Sequence, residues 1–244
     1  VLSDHGQITV TEEIPLFEQL THAGFPTNAH GSDEPLLLGV AGAMGELRLR
    51  SGDGRDRDRV VAWLQEQPSI SHLFTADLNG MDGVTPGTLS MRLVGLDHGR
   101  APDIVFTLRS HAGPDQYGLP GTGLFMGGVP LRGGMHGGLN AHELSTVLIL
   151  GGPGVQTGAR LDGPAGLIDI APTVLAVLGL DAPPTMVGQP LVSAFGAPDP
   201  PWREIVAHAN RGGYAQEVRL RRSSGASYII EGTAGSPPSD TSRN

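Results

Sequence analysis

The first six residues constrain this chain more than any other stretch. Val1-Leu2-Ser3 leads directly into Asp4-His5-Gly6. An apolar start followed by Asp-His-Gly predicts a buried parallel strand that delivers two metal-ligating side chains at its carboxyl end, where open α/β sheets place their chemistry. Neighbouring side chains on a regular strand point to opposite faces. Asp4 and His5 can therefore share one ion only where the strand ends and the backbone turns. Gly6, with no Cβ to forbid unusual dihedrals, is the residue expected to permit that turn.

A second histidine sits in a comparable setting. Gly133-Gly134-Met135-His136-Gly137-Gly138-Leu139 holds one imidazole inside a run of glycines, and the apolar stretch from Ser145 to Leu150 then reads as a buried strand. With the Gly152-Pro153-Gly154 turn and Asp169-Ile170-Ala171-Pro172-Thr173, these motifs resemble the alkaline phosphatase superfamily. Within it they are most similar to the type I phosphodiesterase/nucleotide pyrophosphatase branch, from Val1 to about Phe195. The resemblance implies an α/β fold, a three-layer α/β/α sandwich with a mostly parallel sheet. It also implies two divalent metal ions, zinc foremost, with Asp4 and His5 on one ion and His136 on the other. The reaction it implies is hydrolysis of phosphate diesters or nucleotide pyrophosphate bonds through a covalent Ser/Thr phospho-enzyme. Family members carry the nucleophile, a further metal-binding Asp and an Asp/His ligand pair upstream of the Asp-His-Gly strand. None of these can be assigned here, and Thr9 and Thr11 lie in no matching motif. The expectation is a carboxyl-terminal part of the catalytic domain, lacking its N-terminal half and inactive alone.

Composition narrows the alternatives. Sixteen basic residues against 25 acidic give a formal charge of −9, and with no basic stripe or tail this argues against a nucleic-acid surface. Every basic residue other than His is Arg. Cysteine is absent, so disulfides and zinc-thiolate sites are excluded and any metal must be held by His and carboxylates. No apolar run reaches membrane-spanning length. The compartment stays open. The implied partner is a small phosphate ester or nucleotide. Other activities of the same superfamily fit the same motifs: phosphomonoesterase, phosphonoacetate hydrolase, sulfatase or phosphomutase. A non-catalytic remnant is the reading from a different class.

Along the chain, the periodicity predicts a helix from Glu12 to His22 with Thr11 as N-cap, strands at Leu36–Val40 and Glu46–Arg50, and a helix from Arg55 to Gln67. Strands are expected at Ile70–Ala76, Thr88–Val94 and Asp103–Leu108. The stretch from His111 to Gly138 reads as a long loop that delivers His136. Asp77–Gly83 reads as a turn and not a calcium loop, since no Glu closes it. Asp97-His98-Gly99 repeats the opening tripeptide but reads as a hairpin turn outside the metal cluster, and His22 and His30 read as surface residues. Asp169 is expected to cap a helix whose buried stripe is Val174, Leu175 and Leu178. Residues 1–200 are assigned to the catalytic part. Residues 201–234 form a strand-rich extension, with strands at Glu204–Ala209, Glu217–Arg222 and Ser227–Glu231, and 235–244 a disordered tail.

Overall fold

The computed structural model describes residues 1–28 and 36–235; His30 and the tail beyond Gly235 lie outside them. In chain order the elements are β1 (Ile8–Glu13), α1 (Leu16–His22), β2 (Leu37–Ala41), β3 (Met44–Leu49), α2 (Gly54–Gln65), β4 (Ile70–Thr75) and β5 (Leu89–Ser90). They continue with β6 (Ile104–Leu108), β7 (Ser110–Pro114), β8 (Pro120–Phe125), β9 (Gly134–Met135), α3 (Ala141–Leu144), α4 (Ile170–Val177), β10 (Trp202–Arg211), β11 (Tyr214–Ser223) and β12 (Ala226–Ala234). The chain is α/β with mixed sheets, in the orders β2-β3-β6-β4-β5, β7-β8-β1-β9 and β10-β11-β12.

The five-stranded sheet is the middle layer. On one face, Leu16 and Leu20 of α1 and Val60, Val61 and Leu64 of α2 share a core with Leu47, Ile104 and Phe106. Each such side chain, fully buried, contributes about 1.5–3 kcal/mol. Helix α2 starts where Asp53 accepts the Arg55 N–H at 2.9 Å, and its valines sit at the helical spacing that faces the sheet. On the opposite face, Phe74, Leu89 and Val105 pack against Ala207, Val218 and Leu220 of the β10-β11-β12 sheet. The Gln216 side-chain amide seals that contact, accepting from the Leu73 N–H at 3.0 Å and donating to the Leu73 carbonyl at 3.0 Å.

Several expectations are corrected. The pairings are antiparallel except β1–β8 and β4–β5, and the layer opposite α1 and α2 is a sheet. A mostly parallel sheet between two helical layers is not what these pairings form. Val1–Ser3 is no buried parallel strand: Leu2 and Leu148 form an isolated antiparallel bridge, and Val1 is 88% exposed. Ser145–Leu150 is the other side of that bridge, with Val147 and Ile149 exposed. A single isolated bridge, with no further strand partner among the described residues, leaves both segments short of a strand. Between His111 and Gly138 the expected loop carries β7, β8 and β9. Glycine is favoured there because side chains crowd the strand: a Cβ on Gly121 would stand 2.3 Å from Ile8 Cγ2. Helix α1 begins at Leu16, because β1 runs to Glu13 and the Thr11 hydroxyl is spent on the Gly123 carbonyl. In α4 the buried residues are Pro172 and Thr173, while Val174 and Leu178 are exposed.

Candidate functional site

Register brings the predicted site residues together. β1 and β9 are antiparallel, with Ile8 opposite Met135 and Thr9 opposite Gly134. Continuing that register beyond the strand ends brings the Asp4-His5-Gly6 segment alongside the His136-Gly137-Gly138 segment. The rings of His5 and His136 stack with centroids 3.5 Å apart and planes inclined by 15°. More than a hundred residues of sequence separate them.

The short helix α3 fixes both segments at once. The Gly6 N–H donates to the Glu143 carbonyl at 2.8 Å. The Glu143 carboxylate accepts the Gly138 N–H at 2.8 Å and the Asn140 N–H at 3.3 Å. Asn140 completes a reciprocal cap by accepting the His142 N–H. Burial pushes the Glu143 carboxyl up, and the two backbone N–H donors oppose that shift. Gly6 is required for a reason other than the expected one. Its φ is not positive, but a Cβ there would lie 1.9 Å from the His142 carbonyl oxygen. At Gly138 a Cβ would meet the Glu143 carboxylate at 2.7 Å, and Gly137 holds a φ of +107°.

His5 Nδ1 lies 2.8 Å from the Gly6 carbonyl oxygen. A carbonyl only accepts, so Nδ1 carries the proton and, in the neutral ring, Nε2 holds the lone pair. Metal-ligating histidines are ordinarily held in this way, with one ring N–H on a carbonyl and the other nitrogen free. Asp4 Oδ2 stands 3.5 Å from that Nε2. Two donors on one tetrahedral zinc, each at about 2.0–2.2 Å, stand about 3.3–3.6 Å apart. The Asp4–His5 pair therefore has the spacing of two ligands to one ion. His136 differs: lone pairs of two stacked rings lie in nearly parallel planes and do not point at one centre. His136 fits a second ion better than a share of the first. Among the described residues, no three His, Asp or Glu side chains form a metal-holding group, so each ion would have at most two donors among them.

The histidine pair, with Asp4, lines a cavity of about 390 Å³. Phe74, Val94, Leu96, Val105, Leu139 and Ile229 line it, with Thr107 and Glu143. Thr107 Oγ1 is 2.8 Å from Nδ1 of His72 and accepts the His72 backbone N–H at 3.2 Å. His72 is buried and its other ring nitrogen has no hydrogen-bond partner. Burial lowers its pKa to about 4, so it is neutral near pH 7. Sequence reading missed this cavity, Glu143 and the Thr107–His72 pair. The one signal for Glu143 was the Asn-x-x-Glu spacing of a cap box directly after the glycine run.

The remaining candidates lie elsewhere. Asp97 and His98 are exposed in a turn where the His98 N–H donates to the Leu96 carbonyl, and neither lines the cavity. His22 is exposed in the last turn of α1. Thr9 is hydrogen-bonded to Asp115 and Thr11 to the Gly123 carbonyl. Asn79 and Asp82 bond to each other within their turn. Among the described residues no helix is long and apolar enough to cross a membrane. No protein-family model, curated protein or solved structure matches the chain.

Proposed function

We propose that this chain belongs to a metal-dependent hydrolase of phosphate diesters or nucleotide pyrophosphate bonds, with Asp4 and His5 as ligands of one divalent ion and His136 of a second. Zinc is the first choice for a His/carboxylate donor set without thiolates. The observation that carries this reading is the Asp4–His5 pair: a ring nitrogen freed by the Gly6 carbonyl, with a carboxylate oxygen 3.5 Å away. The stacking of His136 on the same ring, and the likeness of Ser3–Gly6 and Gly133–Leu139 to the phosphodiesterase motifs, support it.

Two ions a few ångströms apart supply Lewis acidity to the attacking and leaving oxygens of a phosphoryl group. The protein's own share is orientation. The Gly6 carbonyl sets the His5 tautomer, Glu143 holds the His136 loop, and Asp4 brings the negative charge an ion requires. No residue of this chain is assigned as the nucleophile. With at most two donors per ion among the described residues and no nucleophile assigned, the chain alone is expected to bind zinc weakly and to turn over negligibly.

The test is turnover of a nitrophenyl phosphodiester, beside a monoester and a sulfate, with zinc present, for the chain and its His5→Ala variant. Zinc binding that His5→Ala weakens, with no turnover, fits the proposal. Zinc-dependent turnover that His5→Ala abolishes would show the site to be complete and refute the incomplete inventory. Zinc binding indifferent to both histidines would refute the metal reading.

A further inference from the structure

The cavity behind the histidine pair carries information about what the substrate looks like. Its walls are mostly apolar side chains, among them Phe74 of β4, Val105 of β6, Ile229 of β12, and Val94, Leu96 and Leu139 from two connecting segments. Besides the Thr146 hydroxyl, two polar side chains set into the walls are already engaged. Thr107 Oγ1 is held by His72, and the Glu143 carboxylate by two backbone N–H groups. The polar groups Asp4, His5 and His136, which also line it, stand where an anion-binding metal centre is proposed. The result is an amphipathic receptacle, mostly apolar and cationic at the histidines once metal is bound.

We propose that this cavity seats an alkyl or aryl substituent of the substrate, so that the ester hydrolysed is an amphiphile with its phosphate at the histidines and its apolar group inside. The inference rests on the metal reading above for the position of the phosphate only. A cavity of about 150 Å³ accommodates benzene, so about 390 Å³ has room for a two-ring aryl group or a medium-length alkyl chain. A nucleobase suits it poorly. Its ring nitrogens and exocyclic groups need several partners, and apart from the metal-site groups and the Thr146 hydroxyl the wall is apolar or already hydrogen-bonded, so entering would cost hydrogen bonds to water without full replacement. Pockets that hold small ligands ordinarily combine such an apolar body with a few polar groups at one end.

The test is calorimetric titration of the full chain with straight-chain alkyl phosphonates from methyl to octyl, and with adenosine monophosphate, once with zinc and once with a chelator. Each methylene entering the cavity should tighten binding about three- to fourfold, the equivalent of about 0.8 kcal/mol, and the nucleotide should bind no better than methylphosphonate. Val94→Trp, which fills the cavity, and Leu96→Gln, which makes a partly exposed wall polar, should each flatten the chain-length dependence while leaving zinc affinity unchanged. Either variant alone suffices if the other misfolds. Flat chain-length dependence with zinc binding intact, no binding of any phosphonate, or a nucleotide that outcompetes octylphosphonate would overturn the inference. A steep dependence that persists with the chelator supports the cavity even if zinc proves irrelevant, which separates its fate from that of the metal reading.

Discussion

Replacing Gly6 by alanine should dismantle the site while leaving most of the fold intact. The added methyl would sit 1.9 Å from the His142 carbonyl oxygen and 2.8 Å from that of Ser145. Both neighbours are backbone, so no side chain can swing aside. Overpacking of this kind costs about 1–3 kcal/mol, and more where backbone must shift. Relief by moving away breaks the Gly6 N–H bond to Glu143. The segment before Gly6 is otherwise held by backbone bonds between Val1 and Ile149 and between Ser3 and Val147. At about 1 kcal/mol net each, these bonds hold the segment by about 3–4 kcal/mol, an amount the strain nearly matches. Residues 1–6 should therefore lift off locally, separating His5 from His136, while β1 onward stays folded. Zinc affinity of Gly6→Ala should fall to that of His5→Ala, and hydrogen exchange at Ser3 and Gly6 should accelerate more than tenfold. Gly99→Ala is the control, because a Cβ there meets nothing within 4 Å. Wild-type zinc affinity and exchange rates in Gly6→Ala would refute the reasoning.

Three further outcomes follow from the same contacts. Glu143→Gln keeps size but replaces one acceptor oxygen by a donor, so the Gly138 or the Asn140 N–H is left unpaired. A loss of about 1–3 kcal/mol, read by denaturant unfolding, should come with a displaced His136 resonance and, because the two rings stack, a smaller shift at His5. His72 is neutral in the fold and titrates near pH 4, against 6.5 when unfolded. Above pH 6.5 it contributes no pH dependence; below it the unfolded state takes up the proton first, so stability falls until about pH 4. The total is about 3 kcal/mol, and His72→Leu should remove that slope, which denaturation at pH 7 and pH 4.5 would reveal. Asp169 is fully buried and accepts from the Gly166 N–H, the Gln189 N–H and the Tyr228 hydroxyl. Asp169→Ala should cost about 3 kcal/mol or more and expose 163–195 to proteolysis first; an unchanged cleavage pattern would contradict its role in holding that segment on β12.

What could be read from the sequence was whatever local chemistry decides. Helix α2 announced itself by the spacing of Val60, Val61 and Leu64, and β6 by its unbroken apolar run. Asp4, His5 and His136 stood out because glycines flank both motifs. The misreadings arose where the environment overrides composition. Ser145–Leu150 has the residues of a buried strand but a single bridge partner, and apolar character alone supplies no neighbours. The residues of β7 and β8 are poor strand formers, yet close packing on Ile8 and Met135 favours glycine there. Asp169 was read as a cap because its spacing suits one, while its carboxylate reaches Tyr228, a partner 59 positions away. The cavity was invisible for the same reason, since its wall is assembled from segments more than a hundred residues apart.

The central claim is that Asp4–His5 and His136 hold two separate ions. Anomalous diffraction at the zinc edge from crystals grown with zinc tests it most directly. Two peaks are expected, one within about 2.0–2.2 Å of both Asp4 Oδ2 and His5 Nε2 and one at the same distance from a His136 ring nitrogen. A single peak shared by the two histidines, or none at either, would contradict it.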